Sequence, residues 1–201
     1  LLANREQRAW GHRPSRELRG GLLAIIGLGD IGRETAALAA AFGMRVVGAR
    51  RHPDRHPVPA GVQRVIAPED LAQVLPDADA VVLALPSTPA TDGMLSRELI
   101  DALRPDAVVV NVGRGNAIDE PALIAALREG RLAGAALDVA SVEPLPPDHP
   151  LWSLPNVLLS THTAAASPAQ DRRRIELAAD NLRRYLAGEP LRNLVDPARF
   201  Y

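Results

Sequence analysis

The 201-residue chain has no cysteine, which rules out disulfides, thiolate nucleophiles and cysteine-ligated metals. It has no lysine either: all 23 basic side chains are arginine, a bias read as belonging to the source rather than to a function. Without lysine there is no P-loop Gly-Lys-[Ser/Thr] and no Tyr-x-x-x-Lys pair of a short-chain reductase. Net charge is only −1, and the arginines are spread along the chain, so the basic footprint of a nucleic-acid binder is missing. No apolar run approaches the roughly 18 residues of a membrane helix, and no secretory signal pattern opens the chain. The expectation is a cytoplasmic protein with neither membrane nor nucleic acid among its partners. An initiator methionine is also missing. The sequence begins at Leu1 and its two methionines are Met44 and Met94, so an N-terminal part is expected to precede it.

What is present is 47% hydrophobic, enough for one full core and part of a second domain. Short apolar runs at 22–26, 45–49, 80–85, 107–112, 133–139 and 157–160 are continuous rather than alternating, as strands buried on both faces are. Helical patterns separate them at 31–42, 68–75, 96–103, 120–129 and 168–187. Alternation of this kind predicts an α/β fold, a doubly wound parallel sheet of Rossmann type. The fourth helix has a cap at Asp119, Pro121 in its first turn and a stop at Gly130. The last has Ser167 and Gln170 as a capping box, with Gly188 and Pro190 as its stop. Residues 141–155 contain five prolines and are read as a structured loop. Residues 1–19 read as the end of a helix and a connector.

The first run ends in Gly27-Leu28-Gly29-Asp30-Ile31-Gly32, a Gly-x-Gly-x-x-Gly turn between a strand and an Ala-rich helix. That context suits a dinucleotide: Gly27 for the tight turn, Gly29 for close approach to a pyrophosphate, Gly32 for helix packing. The helix N-terminus then offers free N–H groups to the phosphates. Some 20 residues on, an NAD site usually carries an acid for the ribose hydroxyls. The second strand ends instead in Arg50-Arg51-His52, two guanidiniums suited to a 2′-phosphate, so NADP is favoured over NAD. His52 and His56 are four apart, but Pro53 and Pro57 break any helix there, and no metal site is expected.

Three later stretches place polar residues at strand ends: Asn111-Val112-Gly113-Arg114-Gly115, Leu137-Asp138-Val139 followed by Glu143-Pro144, and Ser160-Thr161-His162. Open α/β sheets bind ligands at these carboxyl ends. Arg114 has the fork to clamp a carboxylate and polarise a neighbouring carbonyl. Read singly, each is equally a surface arginine, an acidic loop and a strand-end histidine.

In this order, together with the glycine turn and Leu85-Pro86-Ser87-Thr88-Pro89-Ala90-Thr91, they resemble the D-isomer-specific 2-hydroxyacid dehydrogenases, from Glu17 to Pro197. The resemblance implies that Arg114 orients a 2-oxo acid, that His162 gives a proton to its carbonyl oxygen, and that Glu143 pairs with His162. A carboxylate beside an imidazole favours the protonated ring that such a donor needs. The resemblance further implies that Asp138 holds the nicotinamide carboxamide. Asp30 and Ile31 would present the pyrophosphate turn, with Leu85, Pro86, Val112, Gly113, Ala164 and Ala165 lining the cofactor cleft. It also implies a homodimer and a small-molecule 2-oxo or 2-hydroxy acid substrate, whose identity stays open among glyoxylate, hydroxypyruvate and bulkier acids. By the same resemblance, residues 1–19 are the end of an inter-lobe helix and linker, 20–188 the NAD(P)-binding domain, and 189–201 a tail returning to a substrate lobe whose main part is not in the sequence. Arg50 stands where the family commonly has Asp, Thr161 where Pro precedes the histidine, and Ala165 where Gly is frequent. Two rival readings remain beside the dehydrogenase: a dinucleotide-sensing corepressor or a cofactor-binding module without turnover, and another enzyme class on the same domain, such as an adenosylhomocysteine hydrolase-like protein.

Overall fold

Every residue of the run Leu22–Ile26 is buried, as a strand covered on both faces must be. The computed structural model describes residues 8, 10 and 15–197. In it, this run is β1 of a seven-stranded sheet. The others are β2 (Arg45–Ala49), β3 (Arg64–Ile66), β4 (Ala80–Leu83), β5 (Val108–Asn111), β6 (Gly134–Leu137) and β7 (Val157–Leu159). All neighbours pair in parallel, in the order β3-β2-β1-β4-β5-β6-β7. The chain winds outward from β1 in one direction and then crosses over to β4. That reversal opens a crevice at the carboxyl ends of β1 and β4, where such sheets take their ligands.

Side chains along β1 divide between two cores. Leu22, Ala24 and Ile26 join Leu75, Val81, Ile100 and Leu123 on one face, while Leu23 and Ile25 join Leu28, Ala36, Ala39 and Val46 on the other. The second core lies under α1 (Asp30–Ala41), whose buried positions are Gly32, Ala36 and Ala39. Such small residues let the helix lie close to the sheet. Truncating Ile25, which is fully buried, to alanine would cost about 2–5 kcal/mol.

Among the described residues the α-helices are α1, α2 (Arg97–Asp101), α3 (Glu120–Arg128) and α4 (Pro168–Ala187). Asp119 caps α3 by accepting from the Ala122 N–H at 2.9 Å, and Gly130, at φ +69°, follows its end. α4 stops at Gly188 in the left-handed region, φ +66°. Ser167 precedes α4 in extended conformation but its hydroxyl makes no capping bond, so the expected capping box does not form. The helix expected over 68–75 is two 3₁₀ turns, Pro68–Gln73 and Leu75–Asp77. Two prolines and bonds such as Val74 N–H to Leu71 O hold it to the tighter winding. The short edge strand β3, with only Val65 and Ile66 apolar, escaped the periodicity reading.

The helix end and connector expected over residues 1–19 lie mostly outside the described residues. Within them, Arg16 ties this segment to the amino edge of the sheet through Asp79 and Asp106. At the other end, Arg192 N–H donates to Asn181 Oδ1 at 2.8 Å and its carbonyl accepts from Asn181 Nδ2 at 3.0 Å, which lays the tail back along α4. Among the described residues no helix is long and apolar enough to cross a membrane.

Candidate functional site

The glycine turn is fixed by close approaches that leave one side open. Gly27 has φ +104°, and a Cβ there would stand 2.5 Å from the carbonyl oxygen of Ala84. A Cβ on Gly32 would stand 1.9 Å from the Gly27 oxygen, so α1 is pressed directly onto the turn. A Cβ on Gly29 would meet nothing within 4 Å. Gly29 is the helix N-cap and no side chain caps it, which leaves the first-turn N–H groups of Asp30, Ile31 and Gly32 for an anion. The Asp30 carboxylate is drawn onto Arg33, which offsets its charge at that mouth. One strand over, a Cβ on Gly113 would meet the Leu85 N and O at 2.7 Å. The backbones of Leu85-Pro86 and Val112-Gly113 therefore run side by side along the carboxyl edge. An open cradle of backbone donors, closed behind by glycine contacts, fits a dinucleotide.

Beyond β2 the two arginines part company. Arg50 donates to the carbonyls of Pro53, His56 and Pro57, and so fastens the loop 53–57. The Arg51 side chain is exposed and has no partner among the described residues.

Around the ends of β5, β6 and β7 the polar residues converge. Asn111 is buried; its side chain accepts from the Gly113 N–H at 3.0 Å and donates to the Arg114 carbonyl at 2.9 Å. This bracket turns the exposed Arg114 outward, with Nη1 on the Gly113 oxygen at 2.7 Å. At Gly115 a Cβ would fall 1.8 Å from the Ala140 oxygen, so the arginine turn lies flat against the loop that carries Glu143. His162 Nδ1 and Glu143 Oε2 are 2.7 Å apart, and Glu143 Oε1 accepts from the Ala140 N–H at 3.0 Å. The His162 bond holds the Glu143 carboxyl below the usual carboxylate range; burial opposes it, and the Ala140 N–H and the charges of His162 and Arg114 add to it.

Asp138, at the end of β6, anchors the histidine loop. Its carboxylate accepts from the Ser160 hydroxyl at 2.6 Å, the Thr163 N–H at 2.9 Å and the Ala164 N–H at 3.0 Å, while its carbonyl takes the His162 N–H at 2.8 Å. Burial pushes its carboxyl up, but these bonds and the nearby His162 outweigh that and hold it low. His162 itself has φ +55°, a left-handed conformation costly for a residue with a Cβ. Four interactions with one aspartate offset that strain and aim the ring. A cavity of about 510 Å³ opens beside the pair, lined by Asp138, Glu143, Leu145, Trp152 and His162 among others.

Residues 2–164 match the model of the D-isomer specific 2-hydroxyacid dehydrogenase family, NAD binding domain. The chain belongs to this family. It is 37% identical over 182 residues to a glyoxylate reductase of Aeropyrum pernix, across 90% of this chain and 53% of that protein. The fold matches a D-isomer specific 2-hydroxyacid dehydrogenase from Xanthobacter autotrophicus Py2, solved with NADPH and MES. The TM-score is 0.89 at 38% identity, covering 100% of this chain and 81% of the other. An NADPH-dependent glyoxylate/hydroxypyruvate reductase of Sinorhizobium meliloti, solved with NADP and sulfate, matches with a TM-score of 0.90 at 31% identity. That match covers 100% of this chain and 63% of the other. The chain spans about half the length of curated relatives it matches.

Within this dehydrogenase domain, Arg114, Glu143 and His162 gather at one edge of the sheet, on the side that also carries the glycine turn. Two residues expected in the cofactor cleft are already engaged: Arg50 by its own loop, and the Ala164 N–H by Asp138. Asn111 and Ser160 stood in the motifs without a role of their own, and Glu120 was not singled out from the sequence. Asn111 and Ser160 had a signal, a polar side chain within or closing an apolar strand run; Glu120 looked like an ordinary first-turn acid.

Proposed function

We propose that the protein containing this chain reduces small 2-oxo acids, glyoxylate and hydroxypyruvate among them, to D-2-hydroxy acids with NADPH favoured over NADH. The observation that carries the proposal is the 2.7 Å bond between His162 and Glu143 on a loop packed against the Arg114 turn. Relatives named for glyoxylate and hydroxypyruvate reduction support the substrate class, and neighbours solved with NADPH or NADP support the cofactor.

Reduced nicotinamide, when bound, supplies the hydride for the carbonyl carbon. Arg114 takes the substrate carboxylate in a forked, charge-assisted contact and turns the ketone toward His162. With Nδ1 committed to Glu143, the free ring nitrogen of His162 is Nε2, which delivers its proton to the carbonyl oxygen as negative charge develops there. Glu143, bonded to Nδ1 at 2.7 Å, keeps the ring's tilt. In the reverse direction the neutral ring takes the proton back. Asp138 holds the loop, and the remaining capacity of Oδ2 suits a carboxamide N–H. Toward the adenosine end, Arg51 is the guanidinium available to a 2′-phosphate, and Arg50 acts by shaping the loop beside it.

A panel of 2-oxo acids assayed with NADPH and NADH on the full-length protein tests the proposal. Turnover of glyoxylate or hydroxypyruvate with lower KM for NADPH is expected. No turnover of any 2-oxo acid with either cofactor removes it.

A further inference from the structure

One buried carboxylate takes no part in the chemistry proposed above. Glu120, the first residue of α3, is 9% exposed, and a charge so far from water is costly unless its oxygens are hydrogen-bonded. Its Oε1 accepts from the Ser141 hydroxyl at 2.6 Å and its Oε2 from the Ser141 N–H at 3.1 Å. His149 Nε2 lies 3.3 Å from Oε1. The other nitrogen of that ring, Nδ1, accepts from the Leu151 N–H at 3.4 Å, so the ring proton sits on Nε2 and points at Glu120. The start of α3 also favours negative charge there.

Ser141 and His149 are the two ends of the segment that carries Glu143. A single carboxylate therefore fastens both ends, and between them Glu143 meets His162, with the Arg114 charge close by. Among the described residues no arginine engages Glu120 itself. We infer that Glu120, acting through Ser141 and His149, is a positioning residue for the Glu143–His162 pair. The inference rests on the roles proposed for that pair. With the ties cut, the loop ends are free to shift, the 2.7 Å bond lengthens, and Glu143 loses the contact that holds its carboxyl low.

The test uses the full-length protein with Glu120→Gln, Glu120→Ala and His149→Ala, and Glu143→Gln as reference. Measured are kcat, KM for glyoxylate, NADPH Kd, Tm and the acid limb of the kcat/KM profile. Glu120→Gln and His149→Ala are expected to lower kcat about tenfold, as a sub-ångström misplacement does. NADPH Kd should stay within about twofold, and the acid limb should move to higher pH as Glu143 returns toward its ordinary range. Glu120→Ala should do more, and if it does not fold the glutamine variant carries the test. The inference is overturned if both variants lower Tm but keep wild-type kcat and acid limb while Glu143→Gln depresses kcat. If Glu143→Gln itself leaves kcat and the acid limb unchanged, the assignment of the pair falls first and the positioning role with it.

Discussion

Gly115→Ala offers a graded test of the contact that brings Arg114 to the acid–base pair. A Cβ at this position would stand 1.8 Å from the Ala140 oxygen and 1.9 Å from its carbonyl carbon, whereas real Cβ contacts essentially never fall under 3.0 Å. The obstacle is backbone on both sides, so no side chain can swing away. The turn after β5 and the loop after β6 must separate by about 1 Å, and a displacement of that size at a catalytic constellation costs about 100-fold in turnover. Overpacking also destabilises, by about 1–3 kcal/mol. The two effects are separated by Gly130→Ala, where φ is +69° but nothing lies within 4 Å of the added methyl. That control is strained by about 1–2 kcal/mol without touching the site. Steady-state kinetics with glyoxylate and NADPH, alongside NADPH titration and thermal melts, read out both. Gly115→Ala should lose kcat by about 100-fold with NADPH affinity retained, and Gly130→Ala should lose Tm alone. Wild-type kcat in a folded Gly115→Ala protein would refute the reasoning, since Arg114 would then not depend on the packing of its turn.

Arg51→Ala should weaken NADPH binding about 10- to 100-fold, the value of a lost charge-assisted contact of about 1.5–3 kcal/mol, and leave NADH nearly unchanged. Arg50→Ala should weaken both by releasing the loop 53–57. Titration showing NADH preferred by the unaltered protein would contradict the cofactor reading. Asp79, Asp138 and Glu143 all have carboxyls held below the ordinary range. The stability they contribute is complete above about pH 5 and is lost as pH falls through their lowered values. Melting temperature should therefore hold from neutral pH down to about 5 and then drop, and Asp138→Asn should lower the plateau and flatten the drop. An unchanged slope in Asp138→Asn would contradict the role of that carboxylate. Sedimentation equilibrium of the full-length protein should give twice the chain mass for the homodimer that the family resemblance implies, and a monomer would remove that expectation.

The sequence carried the sheet because burial on both faces writes itself as unbroken apolar runs, and β1 and β2 have the bounds those runs predict. β4, β5 and β6 are shorter than their runs, since apolar residues such as Leu85 and Val112 continue into the turns that line the cleft. The meeting of Glu143 with His162 followed from motif order and resemblance rather than from spacing. What stayed hidden was of another kind. Nothing local distinguishes Arg50, folded back on three carbonyls, from Arg51, left open beside it. Likewise Glu120 and Ser141, 21 residues apart, meet only because α3 returns to the edge where the 141–149 segment begins. Contacts of that sort depend on tertiary placement and leave no periodic trace.

The central claim is that His162, bonded to Glu143, is the proton donor to a ketone held by Arg114. Its most direct test is the rate of NADPH-dependent glyoxylate reduction by full-length His162→Ala. The account predicts a fall in kcat of about two to four orders of magnitude, the range for a lost general acid, with NADPH Kd unchanged. Turnover within a fewfold of the unaltered protein would contradict it.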